Sequence, residues 1–102
     1  MKTILQAITD EISYPIGKGL IENKIISRGL DGEEEFTIDV AKTNEYKGAI
    51  ADCLYALIDA PNFSEADIHI SLADRDMILR KANAIYNAIG ESTFDEPMVY
   101  IL

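Results

Sequence analysis

The apolar residues between positions 44 and 60 recur at helical spacing. They form one stripe, made up of Tyr46, Ala49, Ile50, Cys53, Leu54, Leu57 and Ile58. An i, i+3, i+4, i+7 pattern of this kind is typical of a helix with one buried face. Thr43 is a candidate N-cap, and Pro61 ends the pattern because proline lacks an N–H and disfavours helix at the preceding residue. The sequence therefore predicts a long central helix at about 44–60.

Two shorter helices are predicted before the central one. Thr3 and Gln6 have the spacing of a capping box, and the first helix ends near Ser13. The second covers about 18–28, since Gly29 is a natural C′ residue there. The residues expected to face inward are Ile4, Leu5, Ile8 and Ile12 in the first helix and Leu20, Ile21, Ile25 and Ile26 in the second. A short turn joins the two helices, so we expect a helical hairpin.

The last predicted helix begins at a second capping box, Ser71 to Asp74, and ends at about Ile89, before Gly90. Its stripe consists of Ile78, Ala82, Ile85 and Ile89, with Leu79 and Tyr86 beside it. Short extended or β segments are predicted near 36–40, 68–72 and 98–102. A chain of 102 residues has the length of one domain. We therefore predict a mainly α fold, a single four-helix domain over residues 1–102 built on the central helix.

The C-terminal residues are unusually apolar for a free tail. The candidate protein-contact residues are Met98, Val99, Tyr100, Ile101 and Leu102. In a strand they would place apolar side chains on both faces, and both faces would then need cover. Two interpretations stay open: the segment contacts a second copy or another protein, or it pairs with 68–72 inside the monomer.

The charge of the chain restricts its partners. Eighteen acidic and nine basic residues give a formal net charge of −9, which repels nucleic acid phosphates, so no sequence-specific nucleic acid binding is expected. No run of 18 apolar residues is present, so no membrane partner is expected either. The N-terminus lacks signal-peptide features, and a single cysteine fits a reducing compartment. These features predict a cytoplasmic protein.

Residues that could carry chemistry are few. Cys53 lies on the buried stripe and is predicted to be a small core residue rather than a nucleophile. His69 has no cysteine or second histidine nearby to complete a zinc site. The acidic run at 31–35 lacks the ligand spacing of an EF-hand. No Gly-rich phosphate loop or nucleophile elbow is present. We therefore expect no catalytic residue, metal, cofactor or small-molecule substrate.

Several short motifs lie in the second half of the chain. They are Ala51-Asp52, Pro61-Asn62, Asp74-Arg75-Asp76 and Ala82-Asn83-Ala84-Ile85-Tyr86. In these motifs the chain resembles a family of small proteins encoded in bacterial genomes and their prophages. Its overall plan is also similar to the small helical head–tail connector proteins of tailed phages. That resemblance implies a structural subunit without an active site, which contacts its neighbours in a ring and whose location would be the virion.

Three hypotheses about function follow from these observations. The first is a non-enzymatic structural adaptor that binds itself or neighbouring virion proteins. The second is a small acidic protein-binding or regulatory module that acts through its C-terminal segment. The third is an enzyme that uses Asp52, Asp74 and Asp76. It is the least favoured, because acid–base catalysis needs a defined pocket and carboxylates with perturbed pKa values, and the sequence shows neither.

Overall fold

The computed structural model describes residues 1–14, 16–59 and 72–93. These residues form five helices: α1 (Ile4–Ile12), α2 (Lys18–Ser27), α3 (Ile38–Ala41), α4 (Asn44–Asp59) and α5 (Leu72–Ala88). The predicted mainly α class is confirmed. Helices α1, α2, α3 and α5 all contact α4, and its contact with α5 is the most extensive. The predicted central helix is therefore the element around which the others pack.

Local capping signals set the helix ends. The Thr3 hydroxyl oxygen accepts a hydrogen bond from the Gln6 N–H at 3.1 Å, and the Gln6 side chain accepts one from the Thr3 N–H at 2.9 Å. Thr43 caps α4 in the same way, accepting from the Tyr46 N–H at 3.1 Å. The residues with positive φ just beyond helix ends are Ser13, Gly29 and Gly90. The first two predicted helices are confirmed to within one residue at each end.

The predicted strand at 36–40 is wrong from Ile38 onward. Thr37 has an extended backbone, and its hydroxyl oxygen accepts a hydrogen bond from the Val40 N–H at 3.2 Å. That cap starts the single-turn helix α3, and Ile38 is 74% exposed. The apolar alternation was too short to outweigh a hydroxyl placed to cap a helical turn. Of the other predicted extended segments, 98–102 and all of 68–72 except Leu72, which starts α5, lie outside the described residues.

The acidic loop after α2 packs along the start of α1. The first N–H groups of a helix have no partner within the helix. Here the Ile4 N–H donates to the Glu34 carbonyl at 2.9 Å and the Leu5 N–H donates to the Gly32 carbonyl at 3.0 Å. The loop carboxylates remain exposed, so the loop acts through its backbone.

The core joins the buried faces of α1, α2, α4 and α5. Its most completely buried large side chains are Ile4, Ile8, Ile12, Ile21, Ile25, Leu54, Leu57 and Leu79. In α2 and α5 the buried face of the helix differs from the predicted one. Ile26 was expected to face inward but is 68% exposed. In α5, Leu79 and Tyr86 are buried, whereas Ile85 and Ile89 are only partly buried.

Candidate functional site

Arg28, the residue that follows the last turn of α2, holds two carboxylates at once. Its Nε and Nη2 atoms donate to the two carboxylate oxygens of Asp52, at 2.8 and 3.0 Å. Its Nη1 and Nη2 atoms donate to the two oxygens of Glu91, at 2.5 and 3.0 Å. A guanidinium has five N–H donors, and these bonds use four of them. Both contacts are bidentate, the strong form of an arginine–carboxylate pair.

A tyrosine completes the network. The Tyr86 hydroxyl in the last turn of α5 donates to the Asp52 carboxylate at 2.6 Å. We call Arg28, Asp52, Tyr86 and Glu91 together the Arg28 clamp. The clamp joins the C-terminus of α2, the middle of α4, the C-terminus of α5 and the residue after the turn that ends α5.

Two glycines make the clamp possible. Gly90 has φ of 80°, and the turn it forms lets the Glu91 N–H donate to the Tyr86 carbonyl at 2.8 Å. Gly48 lies one turn before Asp52 and is buried against Arg28. A Cβ at this position would come closer than 3.0 Å to three guanidinium atoms of Arg28. Any other residue at position 48 would therefore displace the guanidinium.

The clamp is half-buried, and this sets its electrostatics. The Arg28 and Asp52 side chains are 19% and 21% exposed. Burial alone would raise the pKa of Asp52, but the hydrogen bonds from Arg28 and Tyr86 outweigh it and lower that pKa. Hydrogen bonds to Asp52 and Glu91 raise the pKa of Arg28, and Arg28 lowers the pKa of the Glu91 carboxyl. All three groups are held in their charged forms.

Burial is the main cause of the raised pKa values of Cys53 and Tyr46. It raises the pKa of the Cys53 thiol to about 12, helped by the charge of Asp52, and the side chain is fully buried. Cys53 is therefore a core residue, as predicted, because a nucleophilic cysteine needs a lowered pKa. Burial also raises the pKa of Tyr46 to about 12, and its hydroxyl has no hydrogen-bond partner in the described part of the chain. The Tyr46 ring packs against the Phe36 ring, with centroids 5.0 Å apart and ring planes tilted by 32°.

The clamp is suited to fixing helices. Its acids and bases bond to one another, and its residues do not line the two surface cavities described below. The three acids of the enzyme hypothesis are not assembled into one site. Asp52 bonds to Tyr86 near the end of α5, whereas Asp74 and Asp76 lie near its start and Asp76 pairs with Arg80 at 2.9 Å. What the clamp fixes is the point at which the chain leaves α5.

Several residues singled out in the sequence lie outside the described residues. These are His69 and the candidate protein-contact residues Met98, Val99, Tyr100, Ile101 and Leu102. Within the described ranges, no group of three or more His, Cys, Asp or Glu side chains could hold a metal ion. In the same part of the chain, no helix has both the length and the apolar character needed to cross a membrane.

A groove runs between α1, α2 and the acidic loop. Two adjoining cavities of about 740 and 330 Å³ share Leu5, Lys18, Gly32 and Glu33 in their walls. We call them together the α1–α2 groove, because α1, α2 and the acidic loop line them. The exposed Ile26 lines the smaller cavity. The groove combines apolar walls with charged edges, as surfaces that bind other proteins often do.

The clamp was missed in the sequence because its members are far apart along the chain. Arg28 is 24 positions from Asp52 and 63 from Glu91, and Tyr86 is 34 from Asp52. One local signal could have pointed to the contact. Gly48 interrupts an otherwise strong helix one turn before Asp52, and a glycine inside a helix is unfavourable unless something approaches closely.

In the part of the chain that the structure describes, these features define a mainly α fold with an apolar core and a half-buried ion-pair network. Among known families, the model described as "Family of unknown function (DUF6706)" matches residues 2–100. The chain therefore belongs to this family. Comparison with curated proteins and with solved structures gave no match.

Proposed function

We propose that this protein is a non-enzymatic structural adaptor that assembles through its C-terminal segment, as a subunit of a head–tail connector type of ring. The observation that carries the proposal is the Arg28 clamp. It commits Asp52, one of the three acids of the enzyme hypothesis, to holding helices together. It also ties Glu91, which precedes the C-terminal segment along the chain, to the body of the protein.

A fixed starting point matters for an adaptor. Glu91 is held by two side-chain hydrogen bonds from Arg28 and by its backbone bond to Tyr86. Holding the root of a binding segment lowers the entropy lost when that segment orders on a partner. Residues 98–102 are all apolar, so burying them on a neighbour would supply the favourable free energy.

The first experiment measures the mass of the protein in solution. Light scattering would compare the intact chain with two variants over a range of concentrations. One variant lacks residues 97–102, and the other keeps the length but replaces Met98 to Leu102 with serine. We expect the intact chain to assemble and both variants to remain monomeric with unchanged thermal unfolding. Negative-stain images of the assembled form should show closed rings.

Two outcomes would contradict the proposal. If the intact chain and both variants are monomeric, and the variants unfold at lower temperature, the C-terminal segment is part of the monomer fold. If the intact chain assembles and both variants assemble equally, the segment is not the contact. In either case a role as an adaptor that acts through its C-terminus is excluded.

The order of the neighbouring genes tests whether this adaptor is a head–tail connector subunit. A connector subunit should be encoded beside portal, capsid and tail genes, and it should co-purify with the product of one of them when the two are expressed together. A regulatory binding module would instead lie among genes unrelated to virion assembly. That arrangement would favour the second hypothesis over the connector.

A further inference from the structure

We infer that the α1–α2 groove of one copy receives the outer face of α5 from a second copy, in a head-to-tail contact. This inference rests on the proposed role as an assembling subunit and names the surfaces involved. Two surfaces that each expose one of the chain's large apolar side chains and differ in charge carry it.

The receiving surface is apolar with an acidic rim. The smaller cavity of the groove has Ile26, Leu30 and Ile25 in its wall, and Ile26 is 68% exposed. The carboxylates around it are Glu22, Asp31 and Glu33, and Lys18 is the cation that lines it. A partner that fits this surface carries an apolar anchor flanked by positive charge.

The outer face of α5 has that composition. Met77, Lys81, Ala84 and Ala88 follow one another at i, i+4, i+7 and i+11, and all four are exposed. Met77 is 65% exposed. We call these four residues the Met77 face. From Met77 to Ala88 the sequence contains Arg80 and Lys81 and no acid. Arg80 is paired with Asp76 at 2.9 Å, so the positive charge that the Met77 face offers is that of Lys81.

The two surfaces belong to different elements. The groove is formed by α1, α2 and the acidic loop, whereas the Met77 face belongs to α5, which packs chiefly on α4. A contact between the groove of one copy and the Met77 face of the next is therefore heterologous. Heterologous contacts close into rings or extend into filaments. This is the geometry that a ring-forming adaptor needs.

The contact is expected to be weak by itself. A helical face of twelve residues is roughly 18 Å long, which is short for a stable interface of about 800 Å² per partner. Association through this contact should therefore increase steeply with protein concentration. It should also weaken as salt is added, because its charges lie at exposed edges.

The test uses one variant on each surface. Ile26→Glu places a charge in the groove, and Met77→Glu places one on the helix face. Ile38→Glu is the matched control, because Ile38 is 74% exposed on α3 and belongs to neither surface. Circular dichroism melts would confirm that all three variants are folded. Sedimentation velocity would then measure association at increasing protein concentration.

We expect Ile26→Glu and Met77→Glu each to weaken self-association about tenfold or more, and Ile38→Glu to behave like the unmodified protein. An equimolar mixture of the first two variants should associate more strongly than either variant alone. In that mixture the intact groove of one variant meets the intact Met77 face of the other. A mixture that associates no more strongly than either variant alone overturns the head-to-tail contact.

The outcomes also separate this inference from the proposed function. If changes at 97–102 abolish assembly and the Ile26 and Met77 variants assemble normally, the adaptor proposal stands and this contact is excluded. If the two surface variants abolish assembly and the C-terminal changes do not, the contact stands and assembly through the C-terminal segment is excluded. An unmodified protein that is monomeric at every concentration overturns both.

Discussion

Helix α4 is held by two contacts that are built differently. In the core, Leu54 and Leu57 are each 1% exposed and belong to one apolar cluster with residues of α1, α2 and α5. At the clamp, Asp52 accepts hydrogen bonds from Arg28 and Tyr86 and remains 21% exposed. Both contacts connect α4 to α2 and α5. One does so by burial alone, and the other by charge and bond direction.

The difference shows what each contact can specify. Apolar burial is non-directional and scales with area, so the core makes the helices pack without fixing which turn meets which. Bidentate pairs require particular atoms at particular positions. We interpret the clamp as the feature that fixes the end of α2 and the end of α5 against one turn of α4. Each of the following predictions tests one side of this comparison.

The largest effect is expected in the core. Leu54→Ala should lower the free energy of unfolding by about 2–5 kcal/mol, through lost burial and a residual cavity. Chemical denaturation with urea would measure it. Leu54→Met keeps the volume and should cost less than about 1.5 kcal/mol. An unchanged midpoint for Leu54→Ala would show that α4 is not the centre of the core.

The second prediction distinguishes the clamp from the core by the pH dependence of the free energy of unfolding. Asp52→Asn should lower the free energy of unfolding by about 1.5–3 kcal/mol at pH 7, because it removes a charged partner of Arg28. The folded-state pKa of Asp52 is lowered, so its contribution is complete above the ordinary value of 3.8 and is lost as the pH falls through the folded-state value.

The difference between Asp52→Asn and the unmodified protein should therefore shrink in acid. The difference for Leu54→Ala should stay constant, because no proton is involved. Urea denaturation at pH 7 and at successive values below 4 would measure both. If the loss of free energy of unfolding in Asp52→Asn does not change with pH, the carboxylate charge contributes nothing to stability.

The third prediction concerns Gly48→Ala, whose effect on the free energy of unfolding should change sign when Arg28 is removed. Alanine is favoured over glycine inside a helix by about 1 kcal/mol, yet Gly48→Ala should destabilise the protein by about 1 kcal/mol because the new methyl group displaces Arg28. In an Arg28→Ala background the same change should stabilise by up to about 1 kcal/mol. Thermal unfolding of the four proteins forms the double-mutant cycle. Equal effects of Gly48→Ala in both backgrounds would exclude the close approach.

The smallest effect is expected at an exposed ion pair. Lys2 and Asp10 lie 2.8 Å apart, with side chains 50% and 63% exposed. Such pairs contribute about 0–1 kcal/mol. Lys2→Ala should therefore change the free energy of unfolding by less than about 0.5 kcal/mol, measured by the same denaturation. A loss as large as that of Asp52→Asn would mean that burial does not distinguish the clamp from a surface pair.

The helices could be predicted because their signals are local. The capping box at Thr3 and the glycine after α2 act within a few residues, and the structure has both. The segment at 36–40 was predicted wrongly for the same reason. Alternation and a Thr37 cap compete there over a few residues, and the alternation alone was considered.

The clamp could not be predicted because nothing local specifies it. Its contacts span 24 to 63 positions and depend on the packing of α2 and α5 on α4. The exposure of Ile26 has a similar origin. The orientation of α2 on α4 decides which of its isoleucines is buried, whereas the pattern of apolar residues predicted both Ile25 and Ile26 to face inward. The mainly α class was robust to these errors, because it depends only on the helices themselves.

The buried Cys53 gives the core a built-in chemical reporter. It is the only cysteine in the chain, it is fully buried, and burial raises its pKa to about 12. The thiolate is the form that attacks thiol reagents, so Cys53 in the folded protein should react with them very slowly. The labelling rate then measures how often the core opens, in the same way as the exchange of a protected amide hydrogen. One native residue thus reports the opening of the core around α4, without an introduced labelling site.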